Sequence, residues 1–489
     1  MRKRFYVFWI AGLFGLALMF VGSGSGCSET AETTETAETT ETTETTETTE
    51  TTETTETTET TESVETLPNV IVIVADDLGW ADVGYHGSSI ETPHIDRLIS
   101  EGIEIERFYA TPLCGPTRKA LYTGRSPVSL GVIGNPLPGN ESQSVPLEEH
   151  LISETFAGAG YQTWMVGKWH LGGSRDEQYL PNQRGFDHFY GFEGASIDSY
   201  SHHAWRPNGT MGEVDWQRNG ETLEQDGYST DLLTDEIVDT LLVERDVDRP
   251  FFLAVAYNAV HTPLLGPEDL VEKYASIFPG DEARQTYAAM AERMDHNIGR
   301  ILEALREAQI DETTLVFFMS DNGGNIQYGG ASNSPLRGSK GEVYEGGVRV
   351  AAGARWPGVL EAGSRSTQFM SVWDILPTLA AAAGIDVLND EEQYPLDGRN
   401  VWEELRGEAP ETPADEYLVL GSRGWIAFFD EQWKLIVDKE GVTQPGEAML
   451  FEIEQSPSED EDVAELHPDV VEAMRERIEE MTRDVMDQL

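Results

Sequence analysis

The sequence predicts an α/β fold: a large mixed, mostly parallel sheet flanked by helices, with a smaller C-terminal antiparallel sheet plus one helix. Three observations predict it. Four apolar runs lack the alternation of a half-exposed strand, as strands buried on both faces do. Amphipathic helical stretches lie between them, and short strand-like runs separated by turns gather near the C-terminus.

Two segments precede these elements. Met1-Arg2-Lys3-Arg4, an apolar run from Phe5 to Val21 and the small residues Gly22 to Gly26 have the order of an export signal over residues 1–26. Cleavage before Cys27 would leave a cysteine ready for a lipid anchor, as in bacterial lipoproteins. The alternative is an uncleaved membrane anchor, although the run is at the short end of the roughly 17–25 residues a spanning helix needs. Both readings place the remainder outside the cytoplasm, in the periplasm or at the cell surface. Residues 27–66 continue as Glu-Thr-Thr repeats with almost no apolar side chains, the composition of a disordered, self-repelling tether. Thirteen glutamates of this tether leave about −42 of the formal −55 charge on the rest. So acidic a surface argues against nucleic acid or anionic membranes as partners, and an anionic substrate would need a local island of cations or metal.

Residues 67–410 read as the main domain and 411–489 as a C-terminal subdomain. Asn69 to Ala75 is the first buried strand and ends in Asp76-Asp77. Tyr161 to Val166 leads into Gly167-Lys168-Trp169-His170, Phe251 to Tyr257 into Asn258 and His261, and Leu315 to Met319 into Ser320-Asp321-Asn322-Gly323-Gly324. In open α/β sheets ligands gather at the carboxyl ends of strands, so these clusters are expected to converge. Thr92 and Pro93 supply an N-cap and an N1 proline for a helix over His94 to Gly102, and Asp281 to Gln309 reads as a long helix packed on the sheet. Tyr417–Leu420, Trp425–Phe429, Trp433–Val437 and Met449–Ile453 are the late strands, followed by a helix from Pro468.

Only two cysteines occur, Cys27 and Cys114, and no disulfide is expected in a compartment that permits one. Pro116 sets Cys114 at a helix start, facing free N–H groups and the positive end of the dipole, with Arg118 one turn on. A thiol there would be a low-pKa nucleophile. Taken singly, each feature has a plainer meaning: Asp76-Asp77 as a turn, Lys168 and His170 as surface residues, Ser320 to Gly324 as a loop, Cys114 as an inert buried thiol. Their company favours a site. His202, His203 and Trp205 read either as pocket lining or as structural loop residues, and Trp80 and His86 have no assignment.

Cys114-Gly115-Pro116-Thr117-Arg118 with Thr123-Gly124-Arg125 resembles the sulfatase signature, and Gly160 to Gly172 resembles the second signature of that family. Asp76-Asp77, His261-Thr262-Pro263, Ser320 to Gly324, Leu336 to Gly341 and Tyr344 to Gly347 follow in the family's order. Gly185 to Asp187, Tyr200 to His202 and Val260 to Leu264 look most like the arylsulfatase B group, which includes N-acetylgalactosamine 4-sulfatases. The resemblance implies an alkaline-phosphatase-like fold and hydrolysis of sulfate esters, on a sulfated carbohydrate or an aryl sulfate. It implies that a maturation enzyme converts Cys114 to formylglycine, whose gem-diol attacks sulfur and forms a covalent sulfoenzyme. It further implies one Ca²⁺ held by Asp76, Asp77, Asp321 and Asn322 with the converted Cys114 facing it. Arg118, Lys168 and Lys340 would hold sulfate or the diol, His261, alone or with Lys340, would protonate the leaving alcohol, and His170 would take the proton that expels sulfate. Thr117 departs from the commoner serine, which implies less efficient conversion. Two other readings keep parts of this pattern: a phosphatase or phosphonate hydrolase of the same superfamily, which would more often carry serine or threonine as nucleophile, and a non-catalytic glycan-binding lipoprotein, which would have lost a metal or diol residue.

Overall fold

A computed structural model describes residues 67–136, 141–172, 176–206, 208–387, 395–412, 416–430, 432–443 and 447–485. The expected signal, Cys27 and the tether lie outside the described residues. Among the described residues no helix is long and apolar enough to cross a membrane.

The main sheet has ten strands: β1 (Asn69–Ala75), β2 (Ile103–Ile105), β3 (Gln162–Lys168), β4 (His188–Phe192), β5 (Gln217–Arg218), β6 (Glu221–Thr222), β7 (Phe251–Ala256), β8 (Thr314–Ser320), β9 (Ala352–Arg355) and β10 (Ser364–Ser366). Their spatial order is β10-β2-β9-β8-β1-β7-β3-β4-β5-β6. The five strands from β8 to β4 run parallel, and antiparallel pairs flank them on both sides. β1 is central and every residue of it is buried. Val70, Val72 and Val74 enter the core on one face, and Ile71, Ile73 and Ala75 the core on the other. That double burial is why the run is apolar without alternation.

Helix α1 (Pro93–Ser100) buries Ile95, Leu98 and Ile99. Its cap differs from the expectation. The Thr92 hydroxyl does not cap the helix; it accepts from Gly84 N–H and donates to Asp96. The N–H groups of His94 and Ile95 donate instead to Asp295 Oδ1, at 2.9 and 2.7 Å. Asp295 belongs to helix α3 (Glu282–Glu307), whose Met290, Met294, Ile298, Ile301, Leu302 and Leu305 are fully buried against the sheet. One carboxylate therefore satisfies free N–H groups of a helix that starts some two hundred residues earlier. Asp295→Ala should leave both donors unsatisfied and cost about 1–3 kcal/mol, seen as a lower urea midpoint at unchanged slope. Burial, with Asp96 and Glu292 nearby, pushes the Asp295 carboxyl up from 3.8 to about 7. A raised folded value means that its contribution is full below about pH 4 and is lost as pH rises to about 7. Asp295→Asn, which keeps a carbonyl acceptor, should flatten stability over that window.

The C-terminal strands β11 (Tyr417–Leu420), β12 (Trp425–Asp430), β13 (Trp433–Asp438) and β14 (Ala448–Glu452) form an antiparallel sheet in sequence order, joined by a helix over Pro468–Thr482. Residues Glu65–Leu489 make one compact unit. Lys434 of β13, fully buried, ties the small sheet to the main domain through Glu345 (3.0 Å), which opens the short helix Glu345–Val348, and also pairs with Glu459 (2.7 Å) of the C-terminal segment.

Candidate active site

The central strands end side by side, and their polar successors meet there. Asp321 N–H donates to Ala75 O, Asp77 N–H to Asp321 Oδ1 and Leu78 N–H to Ser320 Oγ, so the ends of β1 and β8 are laced together. Asp77 (φ 63°) and His170 (φ 57°) both adopt left-handed backbone just beyond a buried strand. Non-glycine residues in this region concentrate at functional sites. Gly167 (φ 113°) precedes Lys168 where β3 crowds β7; a Cβ there would lie 1.9 Å from Ala256 O, so only glycine fits.

Cys114 is the first residue of helix α2 (Cys114–Thr123), every residue of which is buried. The neighbouring Gly115 N–H donates to Asn135 Oδ1 at 2.9 Å. The Thr117 hydroxyl is occupied by Thr111, and Gly124 closes the helix in left-handed conformation. Lys340 Nζ lies 3.4 Å from Cys114 Sγ and 2.6 Å from Asp77 Oδ1. Lys168 Nζ lies 2.6 Å from Asp76 Oδ2. Arg118 donates to Asp321 Oδ2 and to Lys168 O, both at 2.9 Å. Three carboxylates and three cations thus interlock in a largely dry site, the local concentration of positive charge that so acidic a chain needs to meet an anion.

Charge sets the state of the remaining groups. Burial opposes ionisation of Cys114, but Lys168 and Lys340 outweigh it and hold the thiol well below its usual range. His170 is 2% exposed, and neither ring nitrogen has a hydrogen-bond partner. Burial, then Lys168 and Arg118, lower its pKa well below the usual value, which keeps the imidazole neutral. His261 goes the other way. Burial and Lys340 act to lower it, yet Asp76, Asp77 and a hydrogen bond with Cys114 more than offset them. Its Nδ1 bonds Thr262 O at 2.6 Å, leaving Nε2 3.8 Å from Asp77 Oδ2. Two histidines pushed apart in this way suit opposite proton-transfer roles.

The residues present fit a hard divalent cation. Asp76 Oδ1 and Asn322 Oδ1 are buried oxygens without hydrogen-bond partners, a costly state that a metal ion would relieve. Asp76, Asp77, Cys114 and His261 each bring a donor atom, all within 4.8 Å of one another. Carboxylate and amide oxygens match Ca²⁺ or Mg²⁺ rather than a thiophilic metal. Asp321, the fourth expected ligand, adjoins them: its Oδ1 accepts from Asp77 N–H and its Oδ2 from Arg118. Burial and then Asp76 push the Asp321 carboxyl up to about 6, a sign of crowded negative charge.

All ten residues singled out from the sequence, Asp76, Asp77, Cys114, Arg118, Lys168, His170, His261, Asp321, Asn322 and Lys340, are brought to this one end of the sheet. His202 is buried and stacks on Trp216 at 4.6 Å. His203 and Trp205 are half-buried on a hairpin with Met211–Val214, below a loop whose Ser196 hydroxyl donates to Thr262 O. Trp80 stacks on His86 and lies under Arg349, a structural arrangement. Sequence reasoning missed Asn135, described above, and Asn333. The buried Asn333 side chain bonds Trp80 N, Gly324 N, Gly324 O and Gly338 O, and so shapes the turn that delivers Lys340.

Comparison with known proteins agrees with this geometry. The chain is 36% identical over 340 residues to arylsulfatase J of Mus musculus, covering 69% of this chain and 56% of that protein. It is 35% identical to N-acetylgalactosamine-6-sulfatase of Homo sapiens, covering 68% of this chain and 65% of that protein. The chain therefore spans between half and two thirds of the length of these relatives. Among solved structures, Ps i-CgsB in complex with k-i-k-neocarrahexaose superposes with a TM-score of 0.77 at 35% identity, covering 86% of this chain and 93% of that one. A phosphonate monoester hydrolase of Agrobacterium radiobacter shares the fold, with a TM-score of 0.60 at 20% identity. The Sulfatase family profile matches residues 68–385, the stretch that carries every strand ending at the site, and the chain belongs to the sulfatase family.

Proposed function

We propose that the protein hydrolyses sulfate esters of a carbohydrate, using Cys114 after its conversion to formylglycine by a maturation enzyme. The observation that carries the reading is the meeting of Cys114 with Lys340, Lys168, Arg118 and two oppositely tuned histidines at the end of the sheet. Formylglycine would supply a hydrated aldehyde as nucleophile and Ca²⁺ a counter-charge for a sulfate oxygen. Asp76, Asp77, Asp321 and Asn322 would hold the cation, with the converted Cys114 facing it. Lys340 and Lys168 orient and neutralise the sulfate group. His261, raised, donates a proton to the departing alcohol, and His170, held neutral, accepts one from the nucleophile's second hydroxyl.

A carbohydrate substrate is supported by relatives named for N-acetylgalactosamine sulfate and by the neighbour bound to a neocarrahexaose. Membership of the arylsulfatase B group, which the resemblance suggests, is part of the proposal, as are export and a lipid anchor at Cys27, which rest on the Met1 to Cys27 sequence.

The shared fold of the phosphonate hydrolase makes phosphoryl chemistry the second reading. Protein with verified formylglycine should release sulfate from 4-nitrophenyl sulfate at least tenfold faster, in kcat/KM, than it hydrolyses phenyl phosphonate esters. The reverse order would transfer the protein to the second reading. Turnover of neither would point to the non-catalytic glycan-binding one.

A further inference from the structure

A cleft of about 660 Å³ adjoins the active centre. Lys340, whose Nζ lies 3.4 Å from Cys114 Sγ, and Leu113, which precedes Cys114, line it together with Ser422, whose N–H donates to Gly341 O. Its volume falls within the roughly 300–1,000 Å³ of sites that bury drug-sized ligands, more than a sulfate ester alone requires. Of the described residues around it only Lys340 and Glu342 are charged, one of each sign. On a chain of formal charge −55 this is a neutral approach for a polyanion.

The wall formed by the short turn Ile326–Gly329 carries an apolar side chain and an aromatic one out into the open. Ile326 is 48% exposed and Tyr328 is 71% exposed. Tyr344, on the same cleft, already carries the Arg337 guanidinium 4.0 Å above its ring. Tyr328, on the same wall, carries no such cation on its ring among the described residues, and Gln327 next to it also lines the cleft. A flat ring next to amides and hydroxyls suits a sugar, which has an apolar C–H face and a polar rim.

We propose that this cleft is a glycan subsite that holds the sugar residue adjoining the sulfated one, with Tyr328 as its stacking platform. The inference rests on the sulfated-carbohydrate reading above and goes beyond it in assigning substrates of at least two sugar residues and a residue that selects them. Tyr328 touches none of the reacting groups, so its role should show in oligosaccharide binding alone.

The test compares wild-type, Tyr328→Ala and Tyr328→Phe proteins, all with verified formylglycine, on 4-nitrophenyl sulfate and on k-i-k-neocarrahexaose. Tyr328→Ala should lower kcat/KM for the hexasaccharide roughly tenfold, mainly through KM, and leave the aryl sulfate unchanged, while Tyr328→Phe keeps the ring and retains most of the hexasaccharide activity. Equal losses on both substrates, or no loss on the hexasaccharide, would overturn the subsite. So would wild-type activity on the aryl sulfate without any on the hexasaccharide, which would leave the sulfatase reading standing. Wild-type inactivity on both would overturn that reading as well.

Discussion

Cys114→Ala should reduce sulfate release by at least about 10³-fold while the protein stays folded. The side chain is small, buried and at the first position of α2, where alanine is a good helix former. Removing Sγ deletes the only atom of this residue from which a nucleophile can be made, and no neighbour can replace it: Lys340 and Lys168 are committed to Asp77 and Asp76. What remains is a preorganised charge cluster that binds sulfate without attacking it, and residual turnover should come from such positioning alone. The check is sulfate release by ion chromatography, together with a thermal midpoint close to wild type. Activity that survives the substitution would mean that the reacting group lies elsewhere.

Lys168→Met should lower kcat by about 10²–10³-fold and, unlike the cysteine change, also destabilise the protein. Lys168 is completely buried and its ammonium is the nearest cation to Asp76; Arg118 is the next, at 3.9 Å. Methionine fills the volume but leaves a carboxylate in the interior with one distant partner, and breaking such a buried pair costs about 3–5 kcal/mol. The activity loss reflects a missing electrostatic contact to charge that develops in the transition state. Because the variant site is one charge more negative, added Ca²⁺ should raise its melting midpoint more than that of the wild type. An unchanged midpoint, or equal Ca²⁺ shifts, would remove Lys168 from the buried charge cluster.

How far the sequence reveals this molecule depends on the range of each interaction. β1, β3, β7 and β8 are legible because burial on both faces leaves uninterrupted apolar runs, and parallel neighbours follow from their shared character. The flanking strands Ile103–Ile105, Gln217–Arg218 and Glu221–Thr222 are two or three residues long, too short for any periodicity to register. The site residues that end or directly follow a central strand, Asp76, Asp77, Lys168, His170, Asp321 and Asn322, can be anticipated from fold logic alone. Lys340 follows no strand; it arrives on a turn held by Asn333 and by Gly341 N–H to Pro112 O, and only the order of motifs points to it. Asn135, Asn333 and Asp295 are single polar residues whose partners lie elsewhere in the chain, so no local pattern announces them.

The proposed chemistry requires that Cys114 is no longer a cysteine in the working protein. Peptide mass analysis of protein from its native host tests this most directly. A Cys114 peptide carrying an aldehyde in place of the thiol, reactive toward a hydrazide probe, is expected in a preparation that releases sulfate from 4-nitrophenyl sulfate. A preparation that releases sulfate with an intact Cys114 thiol throughout would contradict it.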